Sequence, residues 1–113
     1  MIRFDDQPPM SSAADAWAES VLIKSDKYRN KKISNFFQYG TDKEQRIYTL
    51  PKQIDNNNIF LFNIHGGAWE FGYPEWMLFT YEYFKNYNLN LVVPGYRLAP
   101  YSKFKEQLED INN

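Results

Sequence analysis

The residues best suited to chemistry stand at positions 65–69, which read His-Gly-Gly-Ala-Trp and directly follow an apolar run at 59–64. Adjacent glycines after a strand let the backbone turn sharply and expose its amides, because no Cβ stands in the way. Amides that point out of such a turn can bind an anion or stabilise an oxyanion. Ala68 keeps the loop small, Trp69 can anchor it by packing, and His65 is better suited to brace the loop than to act as a base.

A plain tight turn is the alternative interpretation of these glycines. The chain contains neither G-x-x-x-x-G-K-[ST] nor G-x-G-x-x-G, so a nucleotide-phosphate loop is a poor match. It has no cysteine and only one histidine, which excludes disulfides and thiolate metal sites and leaves zinc poorly supplied with ligands. We therefore expect no metal and no cofactor.

The composition is that of a globular protein that buries a core. The 113 residues are 43% hydrophobic and 19% aromatic, and their net charge is −1 with acids and bases intermixed. No basic face is implied, which argues against a nucleic-acid partner. The first ten residues are too polar for a signal peptide, and the longest apolar run, 59–62, is too short to span a bilayer. A cytoplasmic protein without a membrane partner is expected.

The N-terminal part is predicted to hold an arm and one helix. The first ten residues look like a loose arm, after which Ser12 is a candidate helix cap with Asp15 three residues later. Trp17, Val21 and Tyr28 fall on one side of this helix, which should end near residues 29–31. Residues 1–33 are thus the arm and helix, and residues 34–113 the sheet with its helices.

Four segments are predicted to be strands. Residues 35–39 and 45–50 are rich in β-favouring side chains and flank a glycine-containing link at 40–43, which predicts an antiparallel hairpin. Pro51 ends the hairpin, and a polar loop follows at 55–58. The nearly continuous apolar run 59–64 predicts a strand buried on both faces. Residues 89–93 form the last strand, which Pro94 and Gly95 break.

Helices are predicted on either side of that last strand. Pro74 suits a first helical turn, so a helical stretch should run from it to about Tyr87. Ser102 is a candidate cap for a final helix with one apolar side, made of Phe104, Leu108 and Ile111. The order of elements predicts an α/β fold with a mixed sheet and a parallel crossover. Three aromatic residues after the loop either line a pocket entrance or belong to the core: Tyr73, Trp76 and Phe79.

Two motifs in order resemble one enzyme family. Residues 59–69 resemble the third strand and the H-G-G-x-W loop of esterase-type α/β-hydrolases, whose relatives use such a loop as an oxyanion hole. Residues 95–100, Gly-Tyr-Arg-Leu-Ala-Pro, are similar to the segment that follows the fourth strand in the same proteins. Upstream, the hairpin between Tyr39 and Pro51 resembles that of the kynurenine formamidase-like branch.

The resemblance implies a fold and a set of site residues. It implies that residues 1–113 are the N-terminal part of one α/β-hydrolase domain, and hence a partial α/β-hydrolase fold. The oxyanion hole would be formed by the amides of Gly66, Gly67 and Ala68. The residues that support the loop would be His65, Trp69, Tyr96 and Arg97, with Pro100 in a structural role.

The catalytic triad of the family is absent from these residues. The family needs a serine in G-x-S-x-G followed by an acid and a histidine, but no serine lies between spaced glycines and the only histidine, His65, comes too early. We therefore expect the chain alone to be inactive, and its complete protein to hydrolyse a small-molecule carboxylic ester or aryl formamide. A strand at 59–64 without its second neighbour would be an exposed edge, which favours self-association. The alternative is a small non-catalytic α/β module that binds an anion or carboxylate at Gly66 and Gly67.

Overall fold

The computed structural model describes residues 3–51 and 59–113, which form a mixed four-stranded sheet with helices. The predicted polar loop at 55–58 lies outside the described residues. The strands are β1 (Asn35–Gln38), β2 (Arg46–Leu50), β3 (Phe60–Phe62) and β4 (Asn90–Pro94). The α-helices are α1 (Ser12–Ser25), α2 (Tyr81–Phe84) and α3 (Phe104–Asn112). Short 3₁₀ segments cover Asp26–Arg29, Pro74–Thr80 and Lys85–Tyr87.

The sheet has the order β1-β2-β4-β3, and it confirms the predicted hairpin and mixed topology. β1 and β2 pair antiparallel, with Phe36 opposite Tyr48, and β2 pairs antiparallel with β4. β3 pairs parallel with β4, with Leu61 opposite Leu91. β4 is therefore a central strand, and its residues from Leu91 to Pro94 are all buried, as expected for a strand covered on both faces.

The core consists of two apolar clusters. The first packs the sheet against the helical stretch that follows Pro74, and its buried members are Tyr28, Tyr48, Leu50, Leu78, Tyr81, Leu91 and Val93. The second packs α1 against the start of that stretch, through Ala18, Val21, Tyr73 and Trp76, with Phe79 partly buried beside it. Tyr73 and Trp76 are thus buried core residues, and both also line a cavity of about 440 Å³ between the N-terminal arm and α1.

Helix α1 begins one residue earlier than its predicted cap implied. Ser11, not Ser12, is the N-cap, and its hydroxyl accepts a hydrogen bond from the amide of Ala14. Asp15 accepts one from the amide of Met10 instead of closing a box with Ser12. Of the side chains predicted to lie on one side of this helix, Val21 and Tyr28 are buried, while Trp17 is 46% exposed. The buried positions of the helix are Ala18, Val21 and Ser25, while Ile23 is 70% exposed.

The stretch after Pro74 is helical as predicted, but mostly as 3₁₀ turns rather than as one α-helix. Pro74 occupies the first turn of the 3₁₀ segment, and only four residues, α2, are α-helical. The stretch ends at Asn88, which has a left-handed φ of 53°. Leu78 and Tyr81 of this stretch are buried against the sheet, whereas Tyr83 and Tyr87 are 66% and 71% exposed, and tertiary packing of this kind commonly overrides intrinsic helix preference.

The prediction that strand 59–64 is buried on both faces is wrong for this chain. Only Phe60–Phe62 pairs as a strand, and Phe60 and Phe62 are 57% and 56% exposed. β3 has β4 as its single neighbour among residues 3–51 and 59–113. The apolar run therefore forms one edge of the described sheet, where Phe60 and Phe62 lie exposed while Leu61 packs partly buried against the first cluster.

The last helix also differs from its prediction. α3 is capped at Lys103, whose amide donates to the carboxylate of Glu106 at 2.6 Å, and Ser102 is buried next to it. The predicted apolar side is exposed, with Phe104 at 60% and Leu108 at 49%. The buried side carries Gln107 and Asp110. Polar contacts with the rest of the chain decide which side of this helix faces inward.

Across the parts of the chain that the structure describes, no helix combines the length and the apolar character that crossing a bilayer requires.

Candidate functional site

The loop after β3 has a constrained backbone. Gly67, Ala68 and Trp69 have φ values of 129°, 54° and 66°, in a region that side chains with a Cβ rarely adopt. Each non-glycine residue held there costs about 1–2 kcal/mol. The carbonyl of Gly67 accepts hydrogen bonds from the amides of Glu70 and Phe71, at 3.1 and 2.9 Å. Residues 67–71 therefore form a single closed turn, and its strained backbone must be held by contacts elsewhere.

This turn presents a row of amides. The first amides of any such turn have no acceptor within it. No protein group within residues 3–51 and 59–113 accepts a hydrogen bond from the backbone amides of residues 66–69. These amides include those of the three predicted oxyanion-hole residues, Gly66, Gly67 and Ala68. A group of free backbone amides in one turn can bind an anion or stabilise a developing negative charge.

His65 and Tyr96 form a stacked pair at the start of the loop. Their ring centroids are 4.5 Å apart with an interplanar angle of 9°. The Tyr96 hydroxyl donates to the carbonyl of His65 at 2.9 Å. His65 Nδ1 lies 2.7 Å from the carbonyl of Gly66, and since a carbonyl only accepts, Nδ1 must carry the hydrogen. The structure thus brings these two predicted support residues together at one end of the turn.

His65 is a neutral residue in this environment. Its side chain is buried, at 2% exposure, and its Nε2 has no hydrogen-bond partner among the residues described. Burial lowers the pKa of His65 to about 4, and the bond to the Gly66 carbonyl opposes that shift only in part. A buried imidazole with so low a pKa is a poor general base near neutral pH. The geometry therefore fits a bracing residue.

We expect the pH dependence of folding to report this burial. The unfolded chain protonates histidine near pH 6.5, whereas the folded chain does so near 4. The stabilisation from neutral His65 is therefore complete above pH 6.5 and is lost as the pH falls from 6.5 towards 4. NMR titration of the single histidine ring should show no midpoint above pH 5, and a midpoint near 6.5 in the folded chain would contradict the prediction. His65→Gln should remove this slope between pH 6.5 and 5.

Trp69 is fixed at its carbonyl and its ring. The carbonyl accepts from the amide of Ala99 at 2.9 Å and from Gln107 Nε2 at 3.0 Å. The ring packs edge-on against Phe104, with centroids 5.4 Å apart, and tilts against Tyr96 at 6.1 Å. The segment after β4 and helix α3 thus hold the middle of the loop. Sequence reasoning missed Gln107, because its partner Trp69 lies 38 residues away along the chain.

The end of the loop is held by the N-terminal arm, which the sequence predicted to be loose. Gln7 Oε1 accepts from the amide of Gly72 at 2.8 Å, and Gln7 Nε2 donates to the Gly72 carbonyl at 2.9 Å. The Tyr73 hydroxyl donates to Asp6 at 2.6 Å, and Phe4 packs edge-on against the Tyr73 ring. No periodic pattern marks the arm, so local sequence could not reveal this docking.

Arg97 contributes through α3 rather than through the loop itself. Its guanidinium donates to both carboxylate oxygens of Asp110, with the shortest distance 2.8 Å, and its amide donates to the same carboxylate. Asp110 also accepts from Gln45 Nε2 at 2.9 Å. At the start of the segment after β4, the Tyr39 hydroxyl donates to the carbonyl of Gly95 at 2.6 Å. These bonds tie α3 and the segment after β4 to the hairpin.

A buried ion pair joins β2 to the helical stretch after the loop. Arg46 donates to both oxygens of Glu75 at 2.8 Å, and the Tyr48 hydroxyl donates to Glu75 at 2.8 Å. The side chains of Arg46 and Glu75 are 3% and 0% exposed. Burial lowers the pKa of Arg46, but its bonds to Glu75 outweigh that effect and leave the pKa raised. The pair was not predicted, because its partners lie 29 residues apart.

A cavity of about 620 Å³ lies beside the second half of the loop. The arm, the hairpin link and the segment after β4 enclose it, and its lining from the loop consists of Glu70 and Phe71. The free amides of residues 66–69 do not line it. Among the described residues, no group of acidic, histidine or cysteine side chains is arranged to hold a metal ion.

The sequence matches no protein-family model, and no curated protein matches it at a significant level. Solved structures are similar to the chain. A proposed thioesterase from Silicibacter sp. TM1040 matches with a TM-score of 0.76 and 17% identity, over 96% of this chain and 42% of that protein. Esterase B from Lactobacillus rhamnosis matches with a TM-score of 0.60 and 19% identity, over 87% of this chain and 35% of the esterase. Its structure with a tributyrin phosphonate inhibitor matches equally well, over 90% and 38%.

These similarities establish the fold. Together with the sheet order, they show that the chain has the partial α/β-hydrolase fold that its sequence predicted. The chain spans 42% of the thioesterase and 35–38% of esterase B. It therefore corresponds to less than half of either similar protein.

Proposed function

We propose that this chain supplies the oxyanion hole of a serine hydrolase that acts on carboxylic esters or aryl formamides. The observation that carries the proposal is the row of amides at 66–69, which is free of protein acceptors within the described ranges and directly follows parallel strand β3. Acyl transfer develops negative charge on a carbonyl oxygen, and fixed backbone donors stabilise that charge. Similarity to an esterase and to a proposed thioesterase supports this class of reaction.

In this proposal, the nucleophile that attacks the substrate comes from residues outside this sequence. The 113 residues contain no serine between spaced glycines, and His65 is buried with a lowered pKa. Among residues 3–51 and 59–113, β3 has no second neighbour, so its outer edge can pair with a further strand, and a serine at the end of that strand would lie near the 66–69 amides. An oxyanion hole alone attacks nothing, so the isolated chain should show no turnover.

Complementation tests the proposal directly. The chain would be coexpressed with the part of esterase B that lies beyond the matched region, and the purified complex assayed with p-nitrophenyl butyrate and with N-formylkynurenine. Hydrolysis that disappears when the esterase serine becomes alanine, and that neither part shows alone, would support the proposal. A folded complex, seen as one species by gel filtration, that hydrolyses neither substrate would sink it.

A non-catalytic module that binds an anion or carboxylate is the second candidate. It is favoured by the same observation, since neutral amides can hold a carboxylate without any triad. An isolated chain with a cooperative thermal transition that acetate or phosphate raises would support this function. A chain that meets that test but never complements a hydrolase would be a binding module only.

We also propose that the isolated chain self-associates through the edge of β3. Phe60, Phe62 and Ile64 are 57%, 56% and 43% exposed, and an exposed apolar edge strand favours pairing between chains. Sedimentation at several concentrations should show reversible association. Phe62→Lys should shift the chain to monomer, whereas Tyr101→Lys, at a side chain that is 97% exposed elsewhere, should not. A wild-type chain that stays monomeric at all concentrations would contradict the prediction.

A further inference from the structure

We infer that two glutamines from opposite ends of the chain, Gln7 and Gln107, are positioning residues for the 66–69 amides. The inference rests on the proposed function, because it concerns the same amides. Gln107 binds the backbone of the loop at Trp69, and Gln7 binds it at Gly72. Each glutamine thus acts through the loop and not on a bound anion.

Gln107 holds the strained part of the turn. Its side chain is 2% exposed, and Nε2 donates to the carbonyl of Trp69 at 3.0 Å. The amide of Ala99 donates to the same carbonyl, so both of its lone pairs are used. Trp69 has a φ of 66°, which a tryptophan rarely adopts without support. Fixing this carbonyl fixes the orientation of the peptide between Trp69 and Glu70, which directly follows the last of the 66–69 amides.

Gln7 holds the exit of the turn. Its side-chain amide pairs with both backbone groups of Gly72, accepting from the N–H at 2.8 Å and donating to the carbonyl at 2.9 Å. Gly72 has a φ of 117°, and a Cβ there would lie 2.2 Å from His65 Nδ1. The backbone at Gly72 is therefore closely packed against His65. The side-chain amide of Gln7 hydrogen-bonds to this backbone in the way that a residue of a neighbouring strand would.

The chemistry of glutamine suits this position. A side-chain amide carries both a donor and an acceptor. It can therefore satisfy the N–H and the carbonyl of Gly72 together. It is also uncharged, so it adds no carboxylate that would repel an anion at the neighbouring amides. Changing either glutamine to glutamate keeps the size of the side chain but removes the donor and adds a negative charge.

The test compares matched variants by NMR at pH 7. Gln7→Glu and Gln107→Glu remove the donors, and Gln7→Ala and Gln107→Leu serve as uncharged second variants. Gln38→Glu is the control, because Gln38 Nε2 also donates to backbone carbonyls, those of Gly40 and Asp42, but in the hairpin link. The measurements are the ¹⁵N order parameters of residues 66–69 and the dissociation constant of acetate.

We expect the order parameters of the 66–69 amides to fall from about 0.85 to below about 0.6 in the Gln7 and Gln107 variants. Acetate binding should weaken about fivefold for each lost hydrogen bond. Gln38→Glu should match wild type in both measurements. Unchanged order and acetate affinity in folded Gln7 and Gln107 variants would overturn the inference. If wild-type amides are ordered but bind no acetate, anion binding by the isolated chain fails, the complementation assay decides the proposed function, and the order parameters still decide the role of the glutamines.

Discussion

Replacing Glu75 with glutamine is expected to lower the free energy of unfolding by about 3–5 kcal/mol, as is typical when one partner of a buried ion pair is removed. Glu75 accepts three hydrogen bonds at 2.8 Å, two from Arg46 and one from Tyr48, and its side chain is completely buried. The substitution keeps the shape but removes the main partner of the buried Arg46 charge and leaves only Glu44, at 3.2 Å, as a buried counter-charge. Urea unfolding followed by circular dichroism would measure the loss.

Two further variants separate the cost of an unpaired charge from the contribution of the pair itself. The triple variant Glu44→Gln/Arg46→Met/Glu75→Leu removes the whole cluster of buried charges, since Arg46 also pairs with buried Glu44 at 3.2 Å, and it should recover most of the lost stability because apolar replacements of buried pairs are often neutral. Asp5→Asn disrupts an ion pair with Arg3 in which both side chains are largely exposed, and it should change little. A Glu75→Gln variant as stable as wild type would show that the pair does not hold the helical stretch to β2.

Gly67→Ala is expected to destroy the turn that presents the 66–69 amides. Gly67 has a φ of 129°, and a Cβ there would lie 2.0 Å from the backbone carbonyl oxygen of Phe71. A backbone atom cannot move aside as a flexible side chain can, so the turn must open. In a complemented hydrolase, losing aligned oxyanion donors should lower kcat by about 10²–10³-fold. In the isolated chain, acetate binding at these amides should be lost.

The neighbouring glycine provides the control for this prediction. A Cβ at Gly66 would meet nothing within 4 Å, and its φ is not in the left-handed region. Gly66→Ala should therefore keep both the fold and acetate binding, although it makes the same chemical change one residue away. Equal acetate affinity in the two variants would contradict the role assigned to the turn. Thermal unfolding of both would show whether Gly67→Ala acts on the loop or on the whole chain.

Local sequence was sufficient for the hairpin, the central strand and the position of the loop. β1 and β2 follow from segments rich in β-favouring residues around a glycine-containing link, and β4 follows from a short apolar run. The glycines of the loop were predictive because a tight turn requires backbone angles that only glycine adopts freely. Ser11 and Lys103 show the limit of such reasoning, since caps differed from prediction by one residue at α1 and at α3.

Burial could not be predicted in the same way. The apolar pattern placed Phe104 and Leu108 on one side of α3, which would ordinarily be the buried side, yet the structure buries Gln107 and Asp110 instead. The reason is that Asp110 accepts hydrogen bonds from Arg97 and Gln45, and Gln107 donates one to the carbonyl of Trp69. Periodicity shows which residues share a side of a helix, but it does not show what that side will meet.

The sequence by itself therefore determined the strands, the turn and the row of amides, because these depend on the backbone preferences of neighbouring residues. Only the tertiary structure decided what holds the turn in place. Gln7, Tyr96 and Gln107 lie far apart along the chain and meet at the loop only after folding. Hydrogen bonds and buried charges have no local signature, since each depends on a partner that the fold brings within about 3 Å.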